Sequence, residues 1–334
     1  MGGMLGFLYN QLTFTPKPLP ESINLSGKTA LITGGNIGLG LEAAKQLAER
    51  GLSRLILGVR TISKGEAARD EIQRQSPDCE VVVWPLDMES FESIKAFGER
   101  VRKLERLDIV ILSAGIKALE YKRAPTGHEA HIQVNHLATS LLSLLVLPTL
   151  RKTASTHSKN NKPTRLTIVT SEVHFWSRFP DQHAPQILLE LDEPSSFGAG
   201  MERYNTSKLL NILWVRELSN RVAGRENDNG HGSILINGVN PGLCASELHR
   251  SHTTPGVQVF NKVFAWTPRQ GGSCLVDAAV VQMEQGGYVS EQVGKRPSPF
   301  VLSEQGGRVQ KKLWEETMGI LSEVVPGIDL LSGL

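Results

Sequence analysis

The sequence predicts an α/β protein built on a doubly wound parallel sheet of about seven strands, with helices on both faces. Runs rich in Val, Ile and Leu alternate along the chain with helical patterns, which is typical of βαβ units with right-handed crossovers. These runs are apolar nearly throughout, as expected for strands that are covered on both faces. The first run leads directly into a glycine-rich turn and a further helical pattern.

Six runs carry the strand signal and five longer stretches carry the helical one. The strands are predicted at residues 28–33, 54–59, 80–85, 108–112, 166–170 and 233–239. The helices are predicted at residues 39–50, 64–75, 90–105, 129–151 and 204–222. Polar stretches at 153–163 and 225–232 indicate exposed loops. Because no linker or repeat divides the chain, we expect an N-terminal arm over 1–24 and a single domain over 25–334.

Composition excludes several classes of function. Lys and Arg number 36 against 34 Asp and Glu, a formal charge of +2 over 334 residues, which gives no reason to expect a nucleic-acid partner. Cys79, Cys244 and Cys274 are isolated, so we expect neither a disulfide framework nor a metal site. The apolar stretches at 4–9 and 140–150 are too short to span a membrane. A cytoplasmic protein is therefore predicted, with its arm packed on the domain or disordered.

The turn after the first strand has the composition of a dinucleotide-binding turn in a Rossmann-like sheet. Glycine lets the backbone turn sharply and approach phosphates, whose charge then lies on free N–H groups at a helix N-terminus. The spacing is Thr-Gly-x-x-x-Gly-x-Gly rather than the commoner Gly-x-Gly-x-x-Gly. The candidate cofactor-binding residues of this turn are Thr33, Gly34, Asn36, Ile37, Gly38, Leu39 and Gly40.

The second strand ends in a way that favours NADP(H) over NAD(H). Val59 stands where an acidic residue would bind the adenosine ribose, and Arg60 follows it. A guanidinium there suits a 2′-phosphate, and Lys64, one helical turn later, is a second candidate. Each of the two cations has the alternative of being an ordinary solvated surface residue.

The next two strands end in further candidates. Asp87 either accepts a hydrogen bond from the adenine amino group or caps the helix that begins near Ser90. Ser113, Ala114 and Gly115 form a small turn against which a flat ring can lie.

Tyr204 and Lys208 are the candidate chemical pair. They are four residues apart in a helical pattern and so share one face. A phenol titrates near pH 10 and needs help to act near neutrality, and a neighbouring ammonium lowers the cost of the phenolate. Ser171, at the end of the fifth strand, is expected to orient the substrate oxygen, with a helix cap as its alternative. Asn135 is a polar residue inside a helical pattern, and Pro241-Gly242 forms a turn after the sixth strand.

In this order, the motifs resemble the short-chain dehydrogenase/reductase family from about residue 25 to residue 246. The chain is similar to the retinol-dehydrogenase-like branch and to reductases of fungal secondary metabolism. The resemblance implies a catalytic tetrad of Asn135, Ser171, Tyr204 and Lys208. Its nicotinamide-side loop would comprise Val239, Pro241, Gly242 and Ser246. Ser113 stands where the family usually has Asn, and Ser246 where it usually has Thr.

The predicted function is that of an NADP(H)-dependent oxidoreductase that interconverts a carbonyl and an alcohol on a hydrophobic small molecule. A non-catalytic cofactor-binding protein and a lyase or epimerase on the same scaffold are the alternatives. A homodimer is expected through the apolar helices near 137–150 and 209–218, with simple core packing as the other interpretation.

Substrate specificity is assigned to insertions near 174–203 and 244–267. Either they form a mobile apolar lid over the substrate or their bulky residues only anchor long loops to the core. His174 and His183, in the first insertion, are expected to be wall or surface residues rather than ligands. The bulky residues are Phe175, Trp176, Phe179, Phe197, Leu248, Phe260, Phe264 and Trp266.

Overall fold

The computed structural model describes residues 4–157, 162–229, 233–245 and 255–333. Eight strands form one sheet in the order β3-β2-β1-β4-β5-β6-β7-β8. They are β1 Thr29–Thr33, β2 Arg54–Val59, β3 Glu80–Pro85, β4 Ile109–Leu112, β5 Thr164–Val169, β6 Ile234–Asn240, β7 Tyr288–Ser290 and β8 Val293–Lys295. The first seven pair in parallel, and β8 pairs antiparallel with β7. The predicted doubly wound sheet is therefore confirmed.

The six predicted strands are all present, with ends that shift by no more than two residues. The central strands are the most apolar because both of their faces are covered: every residue of β1, β4 and β6 is buried. At the centre of the sheet, Ile32 lies between its register partners Leu57 and Ile111.

Twelve helices lie within the described residues. They are α1 Met4–Thr13, α2 Gly38–Glu49, α3 Ile62–Gln75, α4 Phe91–Arg102, α5 Thr139–His157, α6 Ile187–Leu191, α7 Gly200–Asn229, α8 Pro255–Phe264, α9 Pro268–Val280, α10 Pro299–Leu302, α11 Glu304–Val324 and α12 Ile328–Ser332. Short 3-10 helices span Glu172–Trp176, Pro180–His183 and Pro194–Ser196. The predicted helix 129–151 instead consists of a π-helix over Ile132–Ala138 that continues into α5.

The two faces of the sheet carry separate hydrophobic cores. Helices α2 and α9 pack together on one face, where Leu47 and Leu275 are completely buried. Helices α4, α5 and α7 cover the other face, where Leu145 and Leu213 lie in the larger core. The segment Ile132–His157 is long and apolar enough to cross a membrane, but 94% of its most apolar window is buried inside the fold. Core packing therefore accounts for its apolar composition.

The C-terminal helices cover α5 and α7. Helix α11 packs along α7, where the rings of Trp214 and Trp314 stack with centroids 4.5 Å apart. Helix α12 packs on α5, and the Arg151 side chain donates to the Ser332 carbonyl at 3.0 Å. The apolar residues that suggested a dimer interface are thus buried within one chain, as the core-packing interpretation expected.

Candidate active site

A cavity of about 650 Å³ opens at the carboxyl ends of the central strands. Ligands of open α/β sheets bind at this edge, where the chain crosses between the two faces. The cavity collects most of the predicted site residues into one place. Those that line it are Gly34, Ile37, Gly38, Leu39, Gly40, Arg60, Ser113, Ala114, Gly115, Ser171, Tyr204, Lys208, Pro241 and Gly242.

The glycine turn has the backbone that a phosphate requires. Gly34 and Gly38 have positive φ angles of 68° and 55°, which favour glycine. A Cβ on Gly40 would lie 2.4 Å from the Gly34 carbonyl oxygen, so that helix α2 can pack on the turn only with glycine there. Ile37 precedes α2 without a side-chain cap, and the first turn of α2 has no acidic residue. The N–H groups of this turn therefore remain suited to an anion.

Thr33, at the end of β1, bonds to the turn that follows β4. It is completely buried, and its hydroxyl accepts hydrogen bonds from the backbone N–H groups of Ser113 and Ala114, both at 3.0 Å. This bond pair joins the ends of β1 and β4. Thr33 lines neither this cavity nor the adjoining one, so its contribution to cofactor binding is to hold the two small turns together.

A second cavity of about 290 Å³ adjoins the first and is lined by Asn36, Arg60, Lys64 and Asp87. The two cations thus lie at the same end of the cleft. Arg60 is an ion-pair partner of Glu89 at 3.7 Å, and 68% of its side chain is exposed. The guanidinium is therefore near the cleft but not held rigidly in it.

Asp87 does not cap α4, although capping that helix was one of its two predicted roles. The cap is Ser90, whose hydroxyl accepts from the Ser93 N–H at 3.2 Å. Asp87 instead accepts from the Glu89 N–H at 3.0 Å in a local turn, while the residue itself lines the second cavity. Its predicted contact with adenine stays a prediction.

Tyr204 and Ser171 face each other in the first cavity. Burial raises the pKa of Tyr204 to about 12, although the neighbouring Ser171 hydroxyl acts to lower it. Ser171 also accepts a long hydrogen bond of 3.4 Å from the Val173 N–H, so the orienting and capping roles are compatible. Tyr204 therefore keeps its proton at neutral pH and can donate it.

Lys208 lies one turn after Tyr204 on the same face of α7. Its Nζ donates to the Val169 carbonyl at 2.9 Å and lies 5.9 Å from the centre of the Tyr204 ring. Burial lowers the pKa of Lys208 to about 8. The ammonium is still the main form at neutral pH, and it stabilises negative charge on the neighbouring phenol.

Asn135 lies buried behind the cavity and bonds to the chain on both sides of it. Its amide oxygen accepts from the Ile116 N–H at 2.8 Å, while its Nδ2 donates to the Ile116 carbonyl and to Ser207 Oγ, both at 3.0 Å. The side chain is almost completely buried and lines neither cavity. It ties the turn that follows β4 to α7 directly beside Lys208.

The loop after β6 reaches the cavity through Pro241 and Gly242, as predicted, and also through Leu243 and Cys244. Val239 is completely buried, its carbonyl accepts from the Thr170 N–H at 2.8 Å, and it does not line the cavity. Its predicted backbone contact with the nicotinamide carboxamide stays a prediction. Leu243 and Cys244, which follow Pro241 and Gly242, line the cavity in its place. Ser246 lies outside the described residues.

The similarity to known proteins supports the same interpretation. A family model described as short chain dehydrogenase matches residues 28–158. Short chain dehydrogenase sol3 of Alternaria solani is 61% identical over 293 residues, which cover 87% of this chain and 99% of that protein. Short chain dehydrogenase/reductase dmxR8 of Cryptosporiopsis sp. is 38% identical, over 97% of this chain and 99% of that protein.

The chain belongs to the short-chain dehydrogenase/reductase family. The family predicted from the motifs is thus confirmed, and the protein is an oxidoreductase.

Solved structures share the fold of this dehydrogenase. The Pseudomonas aeruginosa RhlG/NADP active-site complex has a TM-score of 0.60 at 19% identity, over 81% of this chain and 97% of that one. A short-chain dehydrogenase from Sphingobium yanoikuyae in complex with NADPH has a TM-score of 0.53 at 21% identity, over 73% of this chain and 81% of that one.

The first insertion of this dehydrogenase is mostly anchored in the core. Phe179 and Phe197 are buried, Phe175 packs against the core, and Glu316 of α11 accepts from the N–H groups that begin α6. Trp176 alone among its predicted aromatic residues lines the cavity. In the second insertion Phe260 lines the cavity and Trp266 is buried beneath it, whereas Leu248 lies outside the described residues.

His174 has the structural role that was predicted for it. Its Nδ1 bonds to the Ser171 carbonyl at 2.7 Å, and its Nε2 accepts from the Ser298 N–H at 3.1 Å. Burial lowers its pKa to about 4, so the ring is neutral near pH 7. In the chain as far as it is described, no cluster of His, Cys, Asp and Glu is suited to a metal ion.

Sequence reasoning missed the contribution of the N-terminal arm. Helix α1 lies at the mouth of the site, where Phe7 lines the cavity and Gln11 bonds to Leu243 and Phe264. These partners are more than 230 residues away in the sequence, and no local pattern points to them. Gln11 does not stand out in the sequence, because Asn10 beside it is also polar.

Proposed function

We propose that this protein is an NADP(H)-dependent oxidoreductase that interconverts a carbonyl and an alcohol on a hydrophobic small molecule, with Tyr204 as the general acid and base. The observation that carries the proposal is the meeting of Tyr204, Ser171 and Lys208 in one cavity with the uncapped start of α2. Acid chemistry and anion binding are thereby available in the same cleft.

The residues of the cleft are suited to the cofactor from end to end. The glycine turn and the first N–H groups of α2 would hold the pyrophosphate. Arg60 and Lys64, at the second cavity, would hold the 2′-phosphate. The Ser113–Gly115 turn and the Pro241–Cys244 loop would enclose the nicotinamide end. When bound, NADPH supplies the hydride for the carbonyl carbon.

The protein itself supplies the proton. A carbonyl oxygen near Tyr204 and Ser171 would accept hydrogen bonds from both hydroxyl groups. As the oxygen gains negative charge, the Tyr204 proton passes to it and an alcohol results. Lys208 stabilises the phenolate that remains, and solvent then returns the proton. The reverse sequence removes a proton from an alcohol.

The walls of the cavity favour an apolar substrate. Phe7, Ile116, Trp176, Met201 and Phe260 line the cavity that contains Tyr204, and apolar walls with few polar groups select a ligand by shape and burial. A hydrophobic ketone, including one from secondary metabolism, therefore fits this site better than a sugar or an amino acid does.

A test needs the purified protein, NADPH and a panel of apolar ketones. Wild-type protein is expected to consume NADPH in proportion to the alcohol formed. Tyr204→Phe keeps the ring and removes the proton donor, so turnover should fall by about 10²-fold or more while NADPH still binds.

The alternatives give different results in the same assay. Binding of NADPH without turnover of any ketone would favour a non-catalytic cofactor-binding protein. Product without net consumption of cofactor would favour a lyase or epimerase. Full activity of Tyr204→Phe would show that the acid has been assigned to the wrong residue.

A further inference from the structure

Helix α1 presents two different faces. Phe7 and Gln11 are four residues apart and share the inner face, where only 9% and 6% of their surfaces are exposed. Tyr9 and Leu12 lie on the outer face, where 67% and 61% are exposed. The helix is thus seated on the domain by one specific side.

Gln11 fastens that side to the loop after β6. Its Nε2 donates to the carbonyls of Leu243 and Phe264, both at 2.9 Å, and its Oε1 accepts from the Leu243 N–H at 3.1 Å. Its backbone carbonyl accepts from the Trp266 indole at 3.0 Å. One residue therefore makes four hydrogen bonds, two of them to Leu243 in this loop and two to Phe264 and Trp266 at the end of α8 and just after it.

Phe7 extends the same face over the cavity. Its ring meets Trp176 edge to face, with centroids 5.3 Å apart and planes at 88°. Both residues line the cavity that contains Tyr204, whereas neither lines the adjoining cavity with Lys64 and Asp87. Trp176 ends the 3-10 helix that begins directly after Ser171, so its contact places Phe7 near the Ser171 end of the cavity.

We propose that α1 is a fixed wall of the substrate cavity and that Phe7, paired with Trp176, selects the substrate by the size of its apolar part. The class of substrate used here, an apolar ketone, rests on the function proposed above. A helix that only anchored the loop would need Gln11 but would not need an aromatic ring that faces the cavity.

The hydrogen bonds argue for a wall that stays in place during turnover. To swing outward, α1 would have to break the four bonds of Gln11 and separate Phe14 from Trp266, whose rings lie 5.8 Å apart. This movement would leave polar groups without hydrogen-bond partners and would expose aromatic surface to water, and both changes are unfavourable in free energy. Substrate must then fit the space that Phe7 and Trp176 leave.

The experiment compares full-length wild type, Phe7→Ala, Phe7→Trp and the control Leu12→Ala, which changes the exposed face of the same helix. Cyclohexanone, 1-tetralone and 9-fluorenone serve as apolar ketones of increasing ring number. Three quantities are measured for each protein: kcat/KM for each ketone with NADPH, ketone binding from the shift in Tm, and the Kd for NADPH.

Phe7→Ala is expected to raise the preference for 9-fluorenone over cyclohexanone by about tenfold, and Phe7→Trp to lower it, because the pocket gains or loses apolar volume. The Kd for NADPH should stay within about twofold of wild type in both variants. Leu12→Ala should retain the wild-type preference. An unchanged preference in both Phe7 variants, or an equal loss for all ketones together with a fall in Tm, would overturn the proposal.

The binding measurement separates the two proposals. If the proteins bind the ketones with a size preference that depends on residue 7 but reduce none of them, the role of α1 as a wall is supported and the proposed reaction is refuted. If the proteins reduce the ketones with a size preference that is the same in the Phe7 variants, the role of α1 as a wall is refuted and the proposed reaction is supported. If it binds none of them, both proposals fail.

Discussion

Replacing Arg60 with alanine tests the preference for NADPH at one side chain. Arg60 and Lys64 line the second cavity, and β2 ends at Val59 instead of at an acidic residue. In the variant we expect weaker binding of NADPH and unchanged binding of NADH, because the two cofactors differ only in the 2′-phosphate. The ratio of the two Kd values is the quantity to measure.

The expected size of the effect follows from the exposure of Arg60. A hydrogen bond to a charged group contributes about 1.5–3 kcal/mol, or roughly a 10- to 150-fold change in affinity. Arg60 is 68% exposed and has an ion pair with Glu89 at 3.7 Å that a phosphate would have to replace. Because of both facts, we expect the loss of NADPH affinity in Arg60→Ala to lie near the lower end of this range, at about tenfold. Glu89→Gln, which removes the competing carboxylate, should strengthen NADPH binding.

Calorimetric titration of each cofactor at a fixed ionic strength provides the assay, since an exposed contact of this kind weakens as salt rises. Arg308→Ala is the matched control, because this arginine is 72% exposed on α11. Equal affinity of wild type for NADPH and NADH would refute the reasoning. So would an Arg60→Ala variant that keeps the wild-type ratio.

Three further predictions concern other parts of the chain. Because burial lowers the pKa of Lys208 to about 8 and raises that of Tyr204 to about 12, kcat/KM for ketone reduction should fall as pH rises through 8, and a rise there would contradict the assignment. Gly40→Ala places a Cβ 2.4 Å from a backbone oxygen and should weaken NADPH binding by about tenfold or more. By contrast, Gly319→Ala in α11, where the Cβ has no neighbour within 4 Å, should raise the free energy of unfolding by about 1 kcal/mol in denaturant titrations. Light scattering should give the mass of one chain, because α11 and α12 already cover the predicted dimer faces, and a concentration-independent dimer would count against this.

The parts of the fold that sequence predicts are those encoded by local patterns. Strands such as β1 and β6 are continuous apolar runs because both faces are buried, and the glycine turn is recognisable because only glycine tolerates its φ angles and its close backbone approach. Tyr204 and Lys208 were found together because helical spacing places them on one face.

The parts that sequence does not predict depend on tertiary contacts. Strands β7 and β8 have three residues each, which is too few to show the pattern of apolar and polar residues by which a strand is recognised. Asn135 and Val239 are buried and do not line the cavity, and this burial depends on the π-helix and on the position of β6 within the sheet. The role of α1 depends on partners more than 230 residues away.

Helices near both ends of the chain contact elements that border the site. At the N-terminus, α1 closes the cavity over the loop after β6. At the C-terminus, His136 Nε2 bonds to Thr317 Oγ1 of α11 at 2.8 Å, and burial lowers the pKa of His136 to about 3, so that the bond joins two neutral groups. His136 is the neighbour of Asn135 in the π-helix, and Asn135 fixes the turn beside Lys208. Because the π-helix is held between α11 and that turn, the geometry around the Tyr204–Lys208 pair depends on the C-terminal helix as well as on the sheet.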